Sequence, residues 1–417
     1  MSWIRRLLPL ARGAVLPTVP LKPPTLLPLD ILVEEETTPN YDPHYYYPAR
    51  LLEVLNDRYQ ITNKIGYGRS STLWLARDIC RWKWQEDRFV TIKIFSSHPE
   101  YEEMGKHEAE ISKHIMSTKP DHPGLFTIRK VFESFSIASS KGSHICLICE
   151  PMRETLDLYQ TRFPNGTIDP TLLKPMIRLF LSSLDYIHSE CKVIHTDIKT
   201  WNILMSIEDL SLFKKVAEAE EREPGPRKVL EDRTIYRSLI TLKKSGSGLS
   251  IPKLTDFGNA VRGDSGSPLK HPIQPNEYRS PEVCLRAEWS YPTDVWNLGV
   301  MIWDLLEGRP LCDGLDSGCN EYTVRAQIAQ LIALLGPPPP EFLAQMDRAP
   351  IHFFPDGRFK SPELIPEGYT LESSVTQLKG EDKRLFLEFA RRMLCWLPED
   401  RATCKELLSD PWLHFEQ

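Results

Sequence analysis

Short apolar runs separated by turn residues dominate the chain between residues 59 and 149. Three of them, YQITNKIG, STLWLA and FVTIKIF, begin at Tyr59, Ser71 and Phe89 and are rich in β-branched and aromatic residues. Such runs predict the strands of an antiparallel sheet. A helical stretch at 102–116 follows, with further strand-like runs at 126–135 and 144–149. The pattern predicts a small sheet with one main helix.

After Pro151 the apolar positions recur at helical spacing, in the stretches 172–188, 294–306, 326–335 and 383–393. Strands first and helices second predict an α+β protein with two lobes, an N-terminal one at 59–152 and a C-terminal one at 153–417. The segment 206–250 differs in character, since it is charged and interrupted by Pro and Gly. It is predicted to be a mobile spacer inserted into the second lobe.

The first 48 residues are punctuated by proline and are predicted to be a disordered extension. Two readings of the first 29 stay open. They contain four basic residues and no acid, as mitochondrial presequences do: Arg5, Arg6, Arg12 and Lys22. Five prolines within the same stretch would break an amphipathic helix, which favours a disordered tail.

Composition excludes several classes of protein. The formal net charge is −6, from 51 Lys and Arg against 57 Asp and Glu, which argues against a nucleic-acid binder. Nine cysteines without framework spacing indicate a reducing compartment, cytoplasmic or nuclear. Cys146 and Cys149 lie three apart on a predicted strand and so face opposite sides, which excludes a shared metal. No apolar run approaches the about 20 residues of a membrane helix.

Candidate chemistry begins in the predicted sheet. Gly66 and Gly68 lie at a turn between two strands, where glycine lets the backbone approach a phosphate, although a plain hairpin turn has the same signature. Lys93 lies inside an apolar strand, and a cation facing inward needs an anion. Glu110, on the helix that follows, is predicted to supply it.

Two later segments are more specific. VIHTDIKTWNIL places Asp197, Lys199 and Asn202 within six residues between apolar runs, which predicts a polar loop at the rim of a core. KLTDFG places Asp256 directly after a short strand. Asn202 and Asp256 carry oxygen ligands of the type that Mg²⁺ prefers beside phosphates.

In this order the motifs resemble the eukaryotic protein kinases over roughly residues 34–415. The resemblance implies a bilobal kinase fold, ATP and Mg²⁺ as cofactors, and catalysis by Asp197, Lys199 and Asn202, with Asn202 and Asp256 on the metal. It pairs Glu282 with Arg401 and makes Cys149 the gatekeeper before a hinge at 150–152. The ATP site it implies consists of Ile65, Gly66, Gly68, Leu73, Lys93, Glu110, Glu150 and Met152.

A narrower resemblance is to the SR-protein kinases, as a divergent fungal-type member. It rests on HTDIK, DFGNA, the residues 70–74 after Gly68, and YPAR before DRY. It implies a monomeric Ser/Thr kinase acting on a protein substrate that is basic or Arg/Ser-rich. Arg325 stands where those relatives are acidic, so a reduced preference for long Arg/Ser tracts is expected.

Other departures keep alternatives open. Ser71 replaces the third glycine, Thr200 and Trp201 replace the usual Pro-Glu, and Thr196 replaces an arginine that clamps an activation-loop phosphate. Since every charged catalytic position is present, an active kinase is favoured over a catalytically weak scaffold of the same fold. A small-molecule or lipid kinase fits less well, because 256–282 resembles a peptide-binding activation segment.

Overall fold

The computed structural model describes residues 22–81, 85–119, 121–239, 250–316 and 318–414. By its internal contacts the chain divides into two compact units. The first unit combines the segments 1–116, 129–154 and 205–251, and the second combines 117–128, 155–204 and 252–417.

The strands of the described residues, in chain order, are β1 (Val54–Leu55), β2 (Tyr59–Tyr67), β3 (Ser71–Asp78), β4 (Phe89–Phe95), β5 (Val131–Ser139), β6 (Gly142–Cys149), β7 (Val193–Ile194), β8 (Ile203–Met205), β9 (Arg227–Val229), β10 (Thr234–Tyr236), β11 (Pro252–Leu254), β12 (Val261–Arg262), β13 (Leu315–Asp316) and β14 (Glu321–Tyr322). The α-helices are α1 (Pro99–Ser117), α2 (Leu156–Gln160), α3 (Pro170–Asp185), α4 (Ser211–Arg222), α5 (Pro281–Cys284), α6 (Pro292–Glu307), α7 (Val324–Leu335), α8 (Pro340–Ala344), α9 (Ala349–His352), α10 (Leu371–Ser374), α11 (Gly380–Arg391), α12 (Cys404–Leu407) and α13 (Pro411–His414).

A six-stranded antiparallel sheet forms the centre of the first unit, in the order β1-β2-β3-β4-β6-β5. The edge strand β5 alternates between half-buried and exposed positions, whereas β4 is buried on both faces apart from one half-buried residue. Ile61, Trp74, Ile92 and Ile148 meet in one core cluster. Helix α1 lies close to the sheet, since a Cβ at Gly105 would be 2.9 Å from Phe95. The predicted sheet and main helix are confirmed.

The insertion does not form a mobile spacer over its described part, 206–239. It contains α4, β9 and β10, and it packs within the first unit. Phe213 of α4 is buried against Leu75 and Phe89, and Tyr236 of β10 packs edge-on against Trp74 at 5.7 Å. Helix α4 has a buried face, on which Phe213 and Ala217 lie one turn apart, and charged residues elsewhere on its surface make this face hard to recognise in the sequence. Residues 240–249, which also belong to the predicted spacer, lie outside the described residues.

The prediction of disorder is also wrong for residues 22–48, whereas 1–21 lie outside the described residues. A short 3₁₀ turn at Glu34–Thr37 carries three glutamates that each find a partner. Glu35 pairs with the fully buried Lys64, Glu36 lies 3.0 Å from Lys228, and Glu34 accepts the Ser238 N–H at 3.0 Å. Buried lysines need such anions, so the acidic turn is fixed in place.

Helices dominate the second unit. Helix α6 is buried along almost its whole length, and its Trp303 packs against Phe386, which in turn packs against Trp412. The fully buried Arg401 holds Glu282 through two N–H···O bonds of 2.7 Å, as expected from the resemblance. A sheet-based unit and a helical unit confirm the α+β class.

Among the described residues, no helix combines the length and the apolar character that a membrane span requires.

Candidate active site

The glycine-rich turn joins β2 to β3 in the first unit. Gly66 lies opposite Leu73 in the strand register, and the Gly68 N–H donates to the Ser71 carbonyl at 2.8 Å. The Tyr46 hydroxyl, from the N-terminal segment, donates to the Arg69 carbonyl at 2.7 Å and lies 3.2 Å from that of Gly68. The structure therefore brings Ile65, Gly66, Gly68 and Leu73 together in one hairpin, anchored from outside the sheet.

Lys93 finds its anion on α1, at Glu108. Its Nζ lies 2.7 Å from Glu108 Oε2, and both side chains are almost buried. The prediction that Glu110 supplies this partner is wrong. Two residues span about 200° of an α-helix, so Glu110 faces away and is exposed. Helical periodicity was the signal that could have found Glu108, because it shares the buried face of α1 with Ile111.

Strand β6 ends at Cys149, which packs with Phe95 in a small buried cluster. The Glu150 N–H donates to the Lys130 carbonyl at 2.8 Å, and its carbonyl accepts Arg129 Nε at 2.9 Å. By contrast, the Met152 backbone N–H and carbonyl have no hydrogen-bond partner among the described residues. Met152 is thus the better placed of the two predicted hinge residues to offer backbone groups to a ligand.

The loop after β7 holds Asp197 by two neighbouring side chains in the second unit. Lys199 Nζ lies 2.9 Å from each Asp197 carboxylate oxygen. Asn202 Nδ2 donates to the Asp197 carbonyl at 2.8 Å and to its carboxylate at 2.9 Å. Beneath the loop, the buried Asp294 accepts the N–H groups of His195 and Thr196 at 2.7 and 2.8 Å. These bonds fix the orientation of the Asp197 carboxylate.

Asp256 lies beside this loop, because β11 pairs with β8. The Thr255 N–H donates to the Asn202 carbonyl at 3.0 Å, which makes Asp256 and Asn202 neighbours across the two strands. Asp256 adopts a left-handed conformation, with φ 67°. Since Asn202 uses its Nδ2 on Asp197, its amide oxygen is the atom left for a cation. An amide and a carboxylate oxygen are a donor set that suits Mg²⁺.

Most of the chain matches one known family. Residues 59–413 match the family model described as the protein kinase domain. This chain belongs to the protein kinase family. A serine/threonine protein kinase of Aspergillus fumigatus is 38% identical over 386 residues, which cover 92% of this chain and 91% of that protein.

Other relatives of this kinase carry more specific names. SRSF protein kinase 3 of Mus musculus is 33% identical over 520 residues, covering 91% of each chain. The serine/threonine-protein kinase SRPK of Physarum polycephalum is 27% identical over 400 residues, again 91% of each. A solved crystal structure of a kinase domain, 22% identical, superimposes with a TM-score of 0.67 over 89% of this chain and the whole of that one. The protein is a serine/threonine protein kinase.

One contact in the second unit was not foreseen. Tyr278 lies near the end of the 256–282 segment, and its hydroxyl group donates a hydrogen bond to the carboxylate of Asp304 on α6. Burial, together with the nearby Glu277, raises the pKa of Asp304 to about 6. No sequence motif singled out Asp304, because it lies in an apolar helical stretch.

Proposed function

We propose that this chain transfers the γ-phosphate of ATP to a Ser or Thr hydroxyl of a protein in a Mg²⁺-dependent reaction. The observation that carries the proposal is the fixed Asp197 carboxylate, held at 2.9 Å by both Lys199 and Asn202. A carboxylate so oriented accepts the hydroxyl proton and aligns the oxygen for transfer. A catalytically weak scaffold would have no need for this geometry.

The other residues take supporting roles. The backbone of the Gly66–Gly68 turn covers the phosphates, and Lys93, oriented by Glu108, binds their negative charge. The backbone of Met152 contacts the adenine. Asn202 and Asp256 hold Mg²⁺, which supplies positive charge to the phosphates when bound. Lys199 neutralises the group in transfer.

Radiolabelled ATP tests the proposal. The purified chain should label a mixed protein substrate in the presence of Mg²⁺, and Asp197→Asn should lower the rate by at least about 10²-fold. Asp356→Asn, a change at an exposed carboxylate of the second unit, should leave it unchanged. A wild-type chain that binds ATP but labels no protein would establish the scaffold instead.

We further propose that the substrate is basic but does not need a long Arg/Ser tract. The relative named SRSF protein kinase 3 supports the basic preference. The ion pair of Arg325 with Asp316, at 2.6 Å, supports the limit, since it neutralises a carboxylate that could bind a substrate arginine. Nine free thiols support a reducing compartment, cytoplasmic or nuclear.

A further inference from the structure

Strand β4 has two faces of different character. Its even-numbered residues pack into the main core of the sheet: Val90, Ile92 and Ile94. Side chains alternate along a strand, so Phe89, Thr91 and Lys93 lie together on the opposite face. Leu75 of β3 shares this opposite face, because it pairs with Thr91 in the strand register. We call this side of the sheet the Lys93 face.

A helix packs on each end of the Lys93 face. At one end, Phe95 belongs to a buried cluster against which Met104 of α1 packs. At the other end, Phe89 packs in a cluster with Phe213 of α4, the helix of the insertion. Lys93 lies between these two ends of the strand. The insertion therefore covers part of the sheet surface that carries a predicted ATP-binding residue.

The end of the Lys93 face that α4 covers is also the end that leads to the hinge. Strand β6 runs antiparallel to β4 and ends at Cys149, which pairs with Thr91, two residues before Lys93. This direction takes the chain away from Lys93 and toward Phe89, and Met152 follows three residues after Cys149. A nucleotide with its phosphates on Lys93 and its base at Met152 thus extends along the Lys93 face toward α4.

Two apolar residues of the insertion lie at this end of the face. Ile207, just before α4, and Val216, within it, are half-buried and pack against the buried cluster that contains Phe213. Ile65, which leads into the glycine-rich turn, is half-buried and packs against the same cluster. Half-buried apolar side chains keep carbon surface that a flat ring can remove from water.

We propose that Ile207 and Val216 of the insertion form, together with Ile65, an apolar wall on which the purine ring of the nucleotide packs. This inference rests on the proposed function and deepens it, since it assigns part of the ATP site to the insertion. The wall contacts the base and not the phosphates, because Lys93 binds the phosphates farther along the same face. The insertion then contributes to nucleotide affinity as well as to the stability of the first unit.

Binding of Mg·ADP tests the inference without turnover. Isothermal titration calorimetry gives Kd for wild type, Ile207→Ala, Val216→Ala, the conservative variant Val216→Ile and the control Val229→Ala, at an exposed valine of β9 in the same insertion. Amide hydrogen exchange of wild type, with and without Mg·ADP, is measured over residues 207–217. Urea unfolding shows whether each variant is folded, and labelling of a mixed protein substrate is measured in parallel.

Ile207→Ala and Val216→Ala should each raise the Kd for ADP about three- to tenfold, because each removes apolar surface that the base covers. Val216→Ile and Val229→Ala should stay within about twofold of wild type. In wild type, ADP should slow hydrogen exchange over residues 207–217.

Unchanged ADP affinity in both alanine variants, or an equal loss in Val229→Ala, overturns the inference. Exchange over residues 207–217 that does not respond to ADP also overturns it, and this measurement decides if the alanine variants fail to fold. A wild type that binds ADP but labels no protein refutes the proposed function instead, while the ADP affinities of the variants still decide the role of the wall.

Discussion

Lys93 and Glu108 form an ion pair that links the main helix of the first unit to a central strand of its sheet, with 2.7 Å between Nζ and Oε2. The side chains are only 11% and 6% exposed. A buried cation without an anion costs several kcal/mol, of the order of 3–5 when one partner of a pair is removed. Glu108 thus fixes the position of Lys93.

The first prediction separates the two glutamates of α1. Glu108→Gln should lower kcat/KM for protein phosphorylation by about 10- to 100-fold, because Lys93 loses the charge that orients it. Glu110→Gln removes the same charge from the exposed face and should stay within about twofold of wild type. Equal losses in both variants, or a larger loss in Glu110→Gln, would contradict the assignment.

The second prediction concerns the insertion. Phe213→Ala should lower the free energy of unfolding by about 3 kcal/mol, since it opens a cavity against Leu75 and Phe89. Leu210→Ala, at an exposed position just before the same helix, should change it by less than about 0.5 kcal/mol. Urea denaturation of the whole chain measures both. Equal urea midpoints for the two variants would mean that the packing of Phe213 does not stabilise the fold.

Local patterns predicted the parts of the fold that local physics decides. The strands β2, β3 and β4 are rich in β-branched and aromatic residues, and their burial follows from hydrophobicity alone. Helix α4 was not predicted, because half of its residues are charged and the packing partners Leu75 and Phe89 of Phe213 lie more than a hundred residues away in sequence. Charge composition describes the solvated face of such a helix and hides the buried one.

The candidate site divides in the same way. Asp197, Lys199 and Asn202 lie within one loop, so their sequence spacing already placed them together. The partner of Lys93 depended on which face of α1 meets the sheet, and a choice between residues two apart needs the burial pattern. The contact between Tyr278 and Asp304 joins elements that no short motif connects.

The third prediction concerns activation. Thr196 Oγ1 donates to the Asn259 carbonyl at 2.9 Å, so the catalytic loop is tied to the segment after Asp256 without a phosphate. Phosphatase treatment should leave activity unchanged. Thr196→Val keeps the shape of the side chain but loses this hydrogen bond, so it should lower kcat several-fold. Thr196→Ser keeps the hydroxyl and should retain the kcat of wild type. Activity that phosphatase abolishes and rephosphorylation restores would refute this prediction.

The fourth prediction follows from the pKa of Asp304, raised from 3.8 to about 6 by burial and by Glu277. A carboxyl group whose pKa is higher in the folded state stabilises the fold at low pH, and this contribution is lost as the pH rises through about 6. Three groups lie next to Asp304. They are the Glu277 carboxylate, the Tyr278 hydroxyl and the Gln160 side chain, whose Nε2 donates to the backbone carbonyl of Asp304.

Asp304→Asn removes the titration and keeps an acceptor for the Tyr278 hydroxyl. Relative to wild type, this variant should gain stability as the pH rises from about 4 to about 6 and then reach a plateau. Thermal unfolding across this range measures the difference. The neutral variant Gln345→Ala, at an exposed site, serves as the control for general effects of pH. A difference that stays constant with pH would show that Asp304 has an ordinary pKa.

The last prediction concerns Arg325, whose Nε lies 2.6 Å from Asp316 Oδ2. Asp316 also accepts the Gly318 N–H at 2.9 Å, and these two contacts lower the pKa of its carboxyl group. Arg325 itself is half exposed, so a substrate arginine approaching Asp316 meets a cation first. We compare kcat/KM for an Arg/Ser-repeat peptide with kcat/KM for a single-arginine peptide. Arg325→Gln should therefore raise the ratio of the first value to the second about three- to tenfold, and Arg325→Glu should raise this ratio further.

The gain from Arg325→Glu should shrink as salt rises, since exposed charges are screened over about 10 Å at 0.1 M ionic strength. Arg358→Gln is the matched control, because Arg358 is an exposed arginine that also pairs with an aspartate, Asp356, at 2.6 Å. It should leave the ratio of the two peptides unchanged. If Arg325→Glu also leaves that ratio unchanged, Arg325 does not limit the use of Arg/Ser tracts. If wild type already prefers the repeats by two orders of magnitude, about 2.7 kcal/mol, the limit does not exist.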